Sequence, residues 1–165
     1  RHFIGRHYGV DPKSVAGYMM GEHGYTAFPV LSRLTVGGIA FDDLAEYFPD
    51  VEPLTADQIK EHVVQTAYEV FDAKVGVTNA GVAESSIELA RAILLDEKAI
   101  YPVAVSFTNG EYGFDQPSAF SVPCVLGRRG VERRLMVSLN DWETEKLKIS
   151  VASIQASIAL AESLK

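Results

Sequence analysis

A chain of 165 residues is one domain's worth and long enough to close a hydrophobic core. Hydrophobic residues make up 47% of it, the proportion of a folded globular protein and not of a disordered one. The net charge of −7 argues against a nucleic-acid surface, so a small anionic substrate would need a local patch of positive charge.

The first element is a helix over Arg1 to Tyr8, with Phe3, Ile4 and Tyr8 at helical spacing and Gly9 as its stop. The chain starts without methionine, already inside this helix and with no basic-then-apolar leader. A domain separated from an upstream part is therefore expected. Asp11-Pro12-Lys13-Ser14 makes a turn into the apolar run Val15 to Met20, which suits one buried strand. The run breaks at Gly21, and His23 sits between two glycines with Glu22 beside it. Glycine tolerates backbone angles that other residues avoid and lets a ligand come close. Imidazole titrates near physiological pH, so a histidine on a rigid strand end, open on one side, can give or take a proton. Taken alone, the same histidine reads more readily as a structural group with one satisfied hydrogen bond.

Phe28 to Leu31 and Leu34 to Val36 form a second strand-like region, broken by Gly37-Gly38, and Phe41 to Glu52 reads as irregular. Thr55 and Gln58 then have capping-box spacing, and Leu54 and Ile59 occupy the positions of a hydrophobic staple. Ile59, Val63, Ala67, Val70 and Phe71 line one face of the helix that follows. Gly76 to Gly81 ends it and opens another, capped by Thr78 or Asn79, with small residues at Ala80, Gly81 and Ala83 baring its first turn. Free N–H groups there favour negative charge, although a plain cap with tight helix packing is the simpler reading. Ile87, Ala90, Ile93 and Leu94 continue the apolar face.

Three strands follow: Ile100 to Phe107, Ala119 to Leu126 and Val131 to Leu139, the last two joined by a hairpin at Gly127 to Gly130. Arg128, Arg129, Arg133 and Arg134 cluster there, as a solvated hairpin tip before an anion site. Cys124, the only cysteine, lies in an apolar run and reads as a small core residue; its lack of a disulfide partner favours a reducing compartment. Asn140 and Glu143 repeat the capping logic ahead of a helix lined by Leu147, Val151, Ile154, Ile158 and Ala161. No GxGxxG, Walker loop or CxxC pair occurs, the histidines lack metal-site spacing, and no stretch has the length of a membrane span. Metal is thus expected to play no part. Strands and helices without regular βαβ alternation predict an α+β domain with antiparallel strands and long helices.

Gly21-Glu22-His23-Gly24, preceded by Gly17-Tyr18, resembles the active-site histidine segment of the L-lactate and L-2-hydroxy acid dehydrogenases of the lactate/malate dehydrogenase family. Pro102-Val103-Ala104-Val105 with Gly110-Glu111-Tyr112-Gly113 resembles a strand and turn of that family, and Ser121 to Gly127 with Gly130-Val131 resembles its late hairpin. The similarity runs in order over residues 1–165. It implies the C-terminal, substrate-side domain of an NAD-dependent enzyme whose N-terminal Rossmann half is not in this chain. It further implies that His23 exchanges a proton with the keto oxygen while hydride passes between NADH and the carbon of a 2-keto acid. An aspartate and a substrate-gripping arginine would belong to a D-x-x-R segment ending just before Arg1. Thr78 matches a threonine lining the substrate pocket, and Val82 an apolar residue near the nicotinamide.

Two positions depart from the pattern. Tyr25 stands where the family usually has Asp or Asn, which implies a reshaped pocket. Ala16 stands where enzymes activated by a sugar bisphosphate carry histidine, so no such activation is expected even with Arg1 available. The resemblance leads to a cytoplasmic homodimer or homotetramer acting on lactate, with a malate-type enzyme or a non-catalytic assembly module as alternatives. No nucleic-acid or membrane partner is expected.

Overall fold

The computed structural model describes residues 1–73 and 79–164. Helices and small antiparallel sheets mix without βαβ alternation, as the chain order predicts. Helix α1 (His2–His7) ends at Gly9, whose φ of 66° takes the left-handed conformation that glycine allows. Asp11 then caps a short 3₁₀ turn, accepting the Lys13 N–H at 2.8 Å.

The run from Val15 to Met20 is not one strand. β1 (Val15–Ala16) pairs with β4 (Thr35–Val36), whereas β2 (Met19–Met20) pairs with β3 (Phe28–Pro29) in a separate sheet. The handover occurs at Gly17, where a Cβ would lie 2.5 Å from Leu34 Cδ1. The absence of a Cβ lets Leu34 pack against the backbone there, and the Tyr18 carbonyl accepts the Val30 N–H at 3.1 Å. Gly37 and Gly38 do more than break a strand. With φ of 60° and 86° they form a two-residue hairpin from β4 into β5 (Ile39–Ala40), the primed turn that matches strand twist. The irregular stretch after it contains a 3₁₀ turn and a one-turn helix, α2 (Leu44–Tyr47), which buries Leu44.

α3 (Ala56–Ala73) starts from the expected cap: Gln58 Oε1 accepts the Thr55 N–H at 2.8 Å, and Thr55 Oγ1 accepts the Gln58 N–H at 3.2 Å. Leu54 and Ile59 are both buried in one cluster with Ile4, Tyr8, Val15, Leu34, Val36 and Leu44. Ile59 is the only buried residue described on α3; Val63, Val70 and Phe71 stay exposed because only the first turns rest on the body. α4 (Asn79–Leu94) likewise buries only Ala92 and leaves Ile87 and Leu94 in solvent.

β6 (Ala99–Phe107), β7 (Ser118–Gly127) and β8 (Gly130–Arg134) form an antiparallel sheet in that order. β8 is shorter than the apolar pattern predicts: after a register shift at Val125/Leu126 the pairing continues only to Cys124↔Arg134, and Leu135 to Leu139 run on as coil. α5 (Asp141–Ser163) has a complete capping box at Asn140 and Glu143. Its first half packs Leu147 and Val151 into a second core with Met20, Phe28, Val30, Phe107, Phe120, Val122 and Cys124, while Ile158 is exposed. Cys124 is the core residue expected, and burial pushes its thiol pKa up. No described helix is long and apolar enough to cross a membrane.

Candidate functional site

β2 ends at the buried Met20, and the next seven residues make the loop that carries His23. Gly21 opens it with φ of 92°, and its carbonyl accepts the Ser121 N–H at 3.1 Å, which stitches the loop to β7. A Cβ on Gly21 would lie 2.5 Å from Ser150 Oγ and 3.3 Å from a Phe28 ring carbon. Both the backbone angle and the space demand glycine. Gly21→Ala should therefore destabilise the protein by about 2 kcal/mol or more, a value that a urea midpoint measures directly.

The Glu22 N–H donates to Ser150 Oγ at 2.5 Å, and its carboxylate turns back to accept the Thr26 hydroxyl. Gly24 leaves room for that fold-back, since a Cβ there would sit 3.1 Å from Glu22 Cδ. An Ala27 N–H to Gly24 carbonyl bond of 3.2 Å closes the turn. Between these fixed points His23 is exposed, and among the described residues its ring makes no hydrogen bond. The loop gives it a rigid base, and its ring faces solvent.

Val82 stands on the first turn of α4, 61% exposed. Ala80, Gly81 and Ala83 around it are exposed as well, and a Cβ on Gly81 would meet nothing within 4 Å. The start of this helix is bare and apolar, with Val82 its largest open side chain. Thr78 lies outside the described residues. His23 and Val82 thus come from separate elements, each open to solvent.

Tyr25 is 66% exposed and stacks on Tyr68 of α3, with ring centroids 5.1 Å apart and planes 14° from parallel. With Asp57, Lys60, Glu61, Val64 and Gln65 it lines an open groove along that helix. The departure at Tyr25 was legible in the sequence; its partner Tyr68 was not.

A second recess, about 520 Å³ with its mouth included, lies between α1, β1 to β3 and α3. Phe3, Ile4, Val15, Met19, Ile59 and Val63 make it apolar, and His23 is not among its walls. It offers packing, not acid–base chemistry. Two of the arginines of the β7–β8 hairpin face acids: Arg134 lies 3.4 Å from Glu111, and Arg129 lies 3.7 Å from Glu132. Lys98 bonds to both Asp96 and Glu132 at 2.7 Å and holds their carboxyls below the usual carboxylate range. That is the solvated hairpin tip.

Sequence reasoning also missed Thr26 and Ser150. Ser150 gives one signal: it is a polar residue on the stripe that Leu147, Val151 and Ile154 point to the core.

Residues 1–165 match the model of the lactate/malate dehydrogenase alpha/beta C-terminal domain. The chain is 38% identical over 158 residues to L-lactate dehydrogenase 2 of Clostridium acetobutylicum, covering 96% of this chain and 48% of that protein. It is 35% identical to the L-lactate dehydrogenase of Selenomonas ruminantium, covering 96% and 49%. The solved malate dehydrogenase of Aeropyrum pernix superposes with a TM-score of 0.77 at 29% identity, over 94% of this chain and 49% of that one. The chain spans about half the length of the relatives it matches.

Proposed function

The chain belongs to the lactate/malate dehydrogenase family, and from that membership we propose that it is the substrate-side half of an NAD-dependent L-2-hydroxy acid dehydrogenase, acting on lactate and pyruvate. The observation that carries this reading is His23: exposed, unbonded within the described chain, and seated on a loop fixed at both ends. Its protonated imidazole donates to the oxygen of a 2-keto acid as the carbonyl is reduced, and the neutral ring takes the proton back in the reverse direction. NADH, when bound, supplies the hydride. The bare, apolar first turn of α4 suits a flat ring, and Val82 is the residue that would pack beside the nicotinamide. Thr78, just before that helix, is assigned to the substrate pocket. The remainder of the cofactor site, with the aspartate that orients His23 and the arginine that grips the carboxylate, belongs to a Rossmann half and the segment joining it, so residues 1–165 alone are inactive.

A malate-type enzyme is the second reading, and the likeness to a solved malate dehydrogenase favours it. A module that keeps the fold for assembly without catalysis is a third, supported by Tyr25. Exposed Val70 and Phe71 on α3 with Ile87 and Leu94 on α4 supply apolar surface for a homodimer or homotetramer. A cytoplasmic setting fits the lone buried Cys124. Ala16 supports the absence of sugar-bisphosphate activation.

The test is NADH oxidation by the full-length protein over a panel of pyruvate, oxaloacetate and bulkier 2-keto acids. Turnover best with pyruvate is expected. Preference for oxaloacetate selects the malate reading, and no turnover from an intact oligomer selects the assembly module.

A further inference from the structure

The polar groups beneath His23 form a closed ring. The Glu22 N–H donates to Ser150 Oγ at 2.5 Å, Thr26 donates to the Glu22 carboxylate, and the Thr26 and Ser150 hydroxyls lie 3.2 Å apart. Each hydroxyl has one proton. Thr26 directs its own to the charged carboxylate, the stronger acceptor, so the contact between hydroxyls takes the proton of Ser150. Every donor in the ring is then used in one rotational sense, an arrangement in which each bond polarises the next.

Ser150 is the fixed post of this ring. It is 0% exposed, on the stretch of α5 that Leu147 and Val151 hold in the core. Other helical serines turn back on their own helix: Ser86 bonds to the Val82 carbonyl at 2.8 Å and Ser157 to the Ser153 carbonyl at 3.1 Å. Both partners of Ser150 are instead in the His23 loop, 128 and 124 residues away in sequence. The backbone of Gly21 approaches it so closely that no side chain fits between them.

We propose that Ser150 is a positioning residue for the proton donor: through Glu22 and Thr26 it fixes the Gly21–Glu22 peptide and the Glu22 side chain, and so the direction of the imidazole on the next residue. This rests on the reading of His23 as the acid–base group. The bonds of the ring run within the protein, and its effect is on aim.

The test uses the full-length protein with four changes: Ser150→Ala, Thr26→Val, Thr26→Ser, and Ser150→Ala combined with Thr26→Val. A misplaced reacting group costs on the order of 10²-fold in rate, so Ser150→Ala and Thr26→Val should each lower kcat by about 10- to 100-fold with little change in KM. Thr26→Ser, which keeps the hydroxyl, should restore most of it. The double variant should be no worse than Ser150→Ala, because the ring acts as a unit. The second readout is the ring resonance of His23 in protein labelled with ¹³C-histidine. It should broaden or split in Ser150→Ala and Thr26→Val and return to one narrow signal in Thr26→Ser. Folded Ser150→Ala and Thr26→Val proteins with normal kcat and an unmoved His23 resonance overturn the proposal. If Ser150→Ala does not fold, the Thr26 pair decides the matter. If the unmodified protein turns over no 2-keto acid, the acid–base reading is lost, and the resonance still reports whether the ring aims the imidazole.

Discussion

His23→Ala should lower turnover of the full-length enzyme by about 10² to 10⁴, the usual contribution of a positioned general acid–base group. The loss should fall on kcat and kcat/KM together, because the proton moves in the transition state and not on binding. Stability should stay within about 0.5 kcal/mol, since the side chain is exposed and makes no hydrogen bond among the described residues. Those two results separate chemistry from folding. An alanine variant as active as the parent would remove His23 from the mechanism and leave the fold without an acid–base group on this loop.

What could be read from the sequence was local. The caps at Thr55/Gln58 and Asn140/Glu143 depend on residues three apart, and both boxes form as spaced. The Gly21–Gly24 frame around His23 was legible for the same reason: glycines at fixed offsets declare a turn. Arrangements set from a distance were not. Nothing between Val15 and Met20 says that the run divides between two sheets, because the two halves pair with different strands, at Thr35–Val36 and Phe28–Pro29. Helical periodicity found the faces of α3 and α4 but not what they meet; Val63, Val70, Phe71, Ile87 and Leu94 are exposed although their spacing is that of a core face. The site divides in the same way. His23 announces itself, whereas Ser150 is joined to it only by the packing of α5 against the loop.

The largest stability effect is expected at Glu143. Its carboxylate is fully buried and accepts three donors: the Ser32 N–H at 2.8 Å, the Ser32 hydroxyl at 2.9 Å and the Asn140 N–H at 2.9 Å. It therefore caps α5 and ties that helix to the 3₁₀ turn at Leu31–Arg33. Hydrogen bonds to charged groups contribute about 1.5–3 kcal/mol each, and the donors left behind are partly reached by water, so Glu143→Ala should cost about 3 kcal/mol. Asn140→Ala removes only the cap and should cost about 1 kcal/mol. Glu143→Gln is not a mild change here. One oxygen can serve the Ser32 hydroxyl and the Asn140 N–H, but the amide nitrogen then faces the Ser32 N–H, donor against donor. For a domain of this size, 3 kcal/mol lowers Tm by roughly 6–12 °C, well within calorimetric resolution. A loss below about 1 kcal/mol would mean that water replaces the carboxylate at little cost. The consequence reaches the site, because Ser150 lies seven residues along the same helix, two turns from Glu143. Anchoring α5 at its first turn sets the height and rotation at which Ser150 meets the Glu22 N–H. Glu143→Ala, measured where it is still folded, should therefore also broaden the His23 ring resonance, although the two side chains share no bond.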